Sequence, residues 1–148
     1  MRTAQQLQND VDMIHAALTR ADGSPDIKAQ NNRTTTVIQG YDEEGNVIHT
    51  VTGAGKTRGL SGGQKAVVQE IYGETARMPT NSKIPASNNK NNWHAEQKSE
   101  RASQNQTGRV SASSSGAGHG GAACGPCNEA LNAAGVYNIT GVKEDAGG

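Results

Sequence analysis

Apolar residues recur at Leu7, Val11, Ile14 and Leu18, a 4-3-4 spacing that places them on one face of a helix spanning 3–20. Ala21-Asp22-Gly23-Ser24-Pro25 supplies the turn residues that end it. The pattern then changes. Residues 33–41 and 46–52 are rich in Thr, Val and Ile, and the acidic turn Asp42-Glu43-Glu44-Gly45 joins them, which predicts an antiparallel hairpin. Ser61 is placed to cap a helix over 62–77 whose inward stripe would be Ala66, Val67, Ile71 and Thr75. Met78 to Asn92, with two prolines and five asparagines, reads as a long polar loop, and such loops in compact domains tend to serve function. Helical character returns from Trp93 to about Gln106 and again over 122–134, where Leu131 faces the core. Strands are expected at 108–115 and 136–142, with a glycine-rich loop at 116–121.

Strands alternating with helices in this way define an α/β protein. Its 148 residues make one domain, divided as an N-terminal helix (1–25), a core (33–143) and a tail (144–148). Composition adds a tension. There is no Phe, only one Trp and three Tyr, 32% hydrophobic residues and 19 Gly. Burial of one large apolar side chain contributes roughly 1.5–3 kcal/mol, so so few of them leave the fold marginal unless a metal or protein partner binds the folded state. No apolar run approaches the ~20 residues that a bilayer crossing needs, and residues 1–6 lack the apolar core of a signal peptide, so export would rely on sequence outside this chain.

Net charge is zero, which argues against a general polyanion binder, yet nine Lys/Arg against four Glu fall between Lys56 and Arg109. That basic middle is compatible with a phosphate-bearing substrate, and equally with a solvated surface of mixed charge. Gly53-Ala54-Gly55-Lys56-Thr57 does not complete a phosphate loop, because Thr50 stands where the motif requires Gly. His15 reads as a surface or capping residue of the first helix, and His49 as structural within its strand.

The chemistry concentrates between Trp93 and Asn132. Cys124-Gly125-Pro126-Cys127 holds the only two cysteines, and His94-Ala95-Glu96 lies about thirty residues upstream. One imidazole and two thiolates form the three-ligand set of a catalytic zinc, whose fourth position is left for water. Glu96 could then carry protons without binding the metal. His119 is an alternative to His94 as a ligand. The same four-residue cysteine motif also serves thioredoxin-like redox proteins, where it follows an early buried strand. Here it lies near the C-terminus after a glycine loop, and redox chemistry leaves His94 and Glu96 without a role. A purely structural zinc in a protein-binding module is the remaining alternative.

On His94-Ala95-Glu96 and Cys124-Gly125-Pro126-Cys127 the chain resembles the zinc-dependent cytidine and nucleobase deaminases over roughly residues 33–143, and within them the deaminase domains of bacterial polymorphic toxins. One position departs from the family pattern: Ala123, not Pro, precedes the first cysteine. The resemblance implies a three-layer α/β/α fold, its central mixed sheet of about four to five strands carrying helices on both faces. It implies Zn2+ held by His94, Cys124 and Cys127, Glu96 as the catalytic proton carrier, and hydrolysis of cytosine to uracil. The backbone at Ala95 and Ala123 would hold the pyrimidine edge, and Trp93 would stack on a base or sugar or else pack in the core. With few aromatics to replace a flipped base, single-stranded DNA is the expected substrate, ahead of RNA, double-stranded DNA, adenine or free nucleoside. A monomeric toxin secreted or delivered from a bacterium into the target-cell cytoplasm, with a cognate immunity protein, completes what the resemblance implies.

Overall fold

The computed structural model describes residues 1–53, 59–79, 95–115 and 125–140, excluding the side chains of 96–98 and 125–127. Helix α1 (Ala4–Ala16) begins in a capping box between Thr3 and Gln6 and buries Leu7, Val11 and Ile14 on the expected face. It stops short of Arg20, because Ala17 and Leu18 donate to the carbonyls three residues back and the chain turns inward. A short helix not expected from the sequence, α2 (Ile27–Asn32), is capped by Asp26.

Strands β1 (Thr34–Tyr41) and β2 (Val47–Gly53) form the expected hairpin, with Thr36 opposite Thr52 and Ile38 opposite Thr50. In the turn Asp42 Oδ1 accepts from the amides of Glu44 and Asn46, and Gly45 adopts φ +82°, a conformation L side chains resist. Helix α3 (Gly62–Tyr72) starts in the expected cap at Ser61. Its inward face is Gln64, Val68 and Tyr72, with Val67 and Ile71 at the margin and Ala66 exposed. The rotation is set by Gln64, whose amide donates to the Ile14 carbonyl and the Thr35 hydroxyl. Gly73 at φ +55° ends α3, so Ala76 and Arg77 form the short strand β3 instead of extending the helix. Helix α4 (Ala95–Ala102), strand β4 (Thr107–Ser115), helix α5 (Gly125–Ala133) and strand β5 (Tyr137–Asn138) complete the described elements.

The strands form one mixed five-stranded sheet in the order β3-β2-β1-β4-β5. β1 is antiparallel to both neighbours, while β2/β3 and β4/β5 pair in parallel. Helices α1 and α3 cover one face over Val37, Val51 and Ala112; α4 and α5 cover the other over Ile38. This is the expected three-layer arrangement.

Among the described residues apolar material is unequally shared. Leu7, Val11, Ile14, Val37, Val51, Val68, Tyr72 and Ala112 form the core under α1 and α3, whereas the α4/α5 side has Ile38, Leu131 and Val136. There the sheet presents hydroxyls at Thr36, Thr50, Thr52, Ser111 and Ser113, all buried. Among the described residues Thr36 Oγ1 and Ser111 Oγ have no hydrogen-bond partner. An unpaired buried hydroxyl costs about 1–3 kcal/mol, so Thr36→Val, a change of nearly constant shape, is expected to raise stability by about that amount in a thermal melt. Gly63→Ala is expected to lower it, because its Cβ would stand 2.9 Å from the Ala17 carbonyl oxygen, a backbone atom with nowhere to go.

Candidate functional site

Crossover geometry determines where the motif-bearing helices can lie. A connection between parallel strands is right-handed, so its helix falls on one sheet face or the other according to the direction in which the chain moves across the sheet. From β2 to β3 the chain moves outward, and α3 lies on one face; it then moves back past β2 and β1 to β4, and on to β5, so α4 and α5 both lie on the opposite face. The two helices sit side by side on that face and pack against each other.

Both helices also start at the same end. The hydroxyl of Thr52, at the C-terminal end of β2, donates to the Ala95 carbonyl at 2.6 Å, and lies 2.6 Å from Ser99 Oγ one turn further along α4. Further down the helix, Ser103 Oγ accepts from Arg109, near the start of β4. Helix α5 is aligned likewise. Asn138 Nδ2 donates to Asn128 Oδ1 at 3.1 Å beside Ser111, and Arg109 Nη2 donates to the Ala134 carbonyl just past the last turn. The first turns of α4 and α5 therefore lie over the C-terminal ends of the parallel strands β2 and β4, the end at which open α/β sheets bind ligands. Two helix starts there favour bound anions, including thiolate.

Glu96 lies in the first turn of α4 and Cys127 in the first turn of α5, so the fold places the backbones of one proton-carrying candidate and one ligand candidate at the same end of one sheet face. Ala95, a predicted base contact, is fully buried as the first residue of α4. His94, Cys124, Trp93 and Ala123 lie outside the described residues, as do His119 and the glycine-rich loop. Among the described residues no three His, Cys, Asp or Glu side chains gather to hold a metal.

Arg109 changes role. Counted within the basic middle, it is nearly buried, bonded to Ser103 and Ala134 and 3.7 Å from Glu100, whose carboxyl is raised above the usual range by burial. It clamps the far ends of α4 and α5 onto β4 and is not free to track phosphates. Lys65 on α3, Arg77 on β3 and Arg101 on α4 are exposed, but sit on different layers. Sequence reasoning missed Thr52, Ser99 and Arg109, which position the two helices; no motif marks them, because their partners are backbone carbonyls and hydroxyls remote in the chain. No helix among the described residues is long and apolar enough to cross a membrane.

No family model, curated protein or solved structure matches the chain. The functional reading therefore rests on the residues and their placement.

Thr52→Val removes the hydroxyl that holds the start of α4 and leaves Ser99 short of a partner. It is expected to destabilise by about 1–3 kcal/mol in denaturant titration, with protection lost first in the amides of 95–102.

Proposed function

We propose that this chain is a zinc-dependent deaminase that hydrolyses cytosine to uracil, acting on single-stranded DNA as the toxic domain of a bacterial protein. The observation that supports it is the placement of the first turns of α4 and α5, carrying Glu96 and Cys127, side by side at the ligand-binding end of one sheet face. His94 and Cys124 adjoin those turns in sequence.

The donor types fit zinc: His94, Cys124 and Cys127 would hold it, leaving one position open. When bound, zinc acidifies a water ligand and so makes a nucleophile available near neutral pH. Glu96 is the proton carrier, moving one proton of the attacking water to ring N3 and then the second, from the hydroxyl that has added to the ring, to the departing amino group. Cytosine and water thus yield uracil and ammonia. The backbones of Ala95 and Ala123 would orient the pyrimidine, and Trp93 would stack on base or sugar. Exposed Arg101 on α4 and Arg77 on β3, with the lysines around the linker, would attract the strand. A cognate immunity protein would cover the entrance, and delivery would bring the monomer into the target-cell cytoplasm.

The test measures zinc by elemental analysis and uracil or inosine formation on single-stranded DNA, duplex DNA, RNA and free nucleosides. The expected result is one zinc per chain and uracil formation fastest on single-stranded DNA. Glu96→Ala is expected to keep zinc and fold while losing at least about a hundredfold in rate. His94→Ala and Cys124→Ser are expected to lose the metal itself. A zinc-loaded wild type inactive on every base would favour a structural zinc and a binding module. A metal-free protein that cycles between dithiol and disulfide would favour the thioredoxin-like reading.

A further inference from the structure

Two histidines are buried between the sheet and the α1/α3 layer, and neither belongs to the candidate centre. Each has both ring nitrogens engaged. His15 Nε2 lies 2.8 Å from the Gln30 carbonyl of α2, which can only accept, so Nε2 carries the proton and Nδ1 accepts from the Thr35 hydroxyl at 2.9 Å. The Thr35 oxygen in turn receives the Gln64 amide of α3 at 3.0 Å.

At His49 the Nε2 proton is fixed by the same logic. The Gln39 amide donates to the Arg2 carbonyl, so Gln39 Oε1 accepts, from the Arg2 amide at 2.9 Å and from His49 Nε2 at 2.8 Å. Nδ1 lies 2.7 Å from the Thr75 hydroxyl, whose one proton is also within reach of the Tyr72 carbonyl at 3.1 Å. The ring stacks on Tyr72, 4.0 Å between centroids, and the Tyr72 hydroxyl donates to Asp10 of α1, which Arg2 grips with two hydrogen bonds. Both networks therefore end on residues 1–32, the segment holding α1 and α2.

At His15 protonation breaks this logic, and at His49 it places a charge on a buried ring stacked against Tyr72. A second ring proton on His15 would point at an oxygen that already accepts from Gln64 and that now loses the nitrogen it donated to. The groups around His15 are neutral Gln30, Thr35 and Gln64, with Asp12 on its own helix. His49 faces Asp10 of α1, Arg2 and the N-terminal amine ahead of it, and neutral Tyr72, Gln39 and Thr75. The Asp10 carboxylate is shared with Arg2 and Tyr72.

We propose that His15 and His49 form an acid-released latch: when they are protonated, residues 1–32 detach from the sheet while α4 and α5 stay packed on its other face. Burial lowers both rings from the ordinary histidine value near 6.5, His49 to about 4. Above 6.5 both closed and open forms are neutral and pH has no effect. Below it the open form takes up protons that the closed form refuses, so closure weakens as pH falls from 6.5 toward 4.

Amide hydrogen exchange on the full chain at pH 7.5 and 5.5, corrected for intrinsic rates, tests this. At pH 5.5, one unit below the open-form value, His49 alone is expected to raise opening of α1 about tenfold, with β4 and α5 changing less. His15→Gln with His49→Gln is expected to remove that pH dependence. Equal loss of protection in both layers, or an unchanged pH dependence in the double variant, would overturn the latch. Should the double variant not fold, ring nitrogen titration of the wild type decides. Rings that stay neutral until α1 opens support the latch; rings that titrate near 6.5 with α1 still protected overturn it.

Discussion

The handedness of the crossovers is the constraint on which the arrangement depends. A chain that goes outward from β2 through α3 and returns through α4 must place those two helices on opposite faces, and continuing in the same direction through α5 keeps α5 beside α4. Inserting the antiparallel β1 between β2 and β4 keeps those two strands parallel while spacing them apart, so both helix starts arrive at one edge. The placement of Glu96 and Cys127 at one end of one sheet face follows from that path, with the alignment of their helices left to Thr52 and Arg109.

The sheet's two faces divide the work. Under α1 and α3 the chain concentrates its scarce apolar residues and closes the layer with hydrogen-bonded networks of buried histidines, Asp10 and Arg2. Under α4 and α5 the described residues comprise hydroxyls, some unpaired among them, and a three-residue apolar cluster. A face lined this way surrenders stability at the location where the proposed chemistry sits, a trade common at functional sites. His15 belongs to the first face: expected at the surface, it is buried, because α2 and β1 each present it with a polar partner.

Much of the fold was legible from local pattern. The 4-3-4 spacing of α1, the β-branched hairpin with its acidic turn and the Ser61 cap all act over a few residues, and all appear where expected. Errors came where a distant group intervened. Gln64 turned α3 by bonding Ile14 and Thr35, leaving Ala66 outside; Gly73 stopped the helix so that Ala76 and Arg77 could pair with β2. Of the candidate centre, residue types and helical context were readable, while the residues that hold its helices in place were not.

By itself the sequence determined an α/β chain, where most of its elements begin, and a motif whose donor types suit zinc. Periodicity, caps and spacing are local properties, so they survive without a structure. Only the tertiary structure decided that α4 and α5 share a face and an end, that Arg109 is a clamp and not a phosphate contact, and that two histidines tie the N-terminal layer down. Those outcomes depend on pairings between residues dozens of positions apart, which the fold brings together and no local pattern encodes.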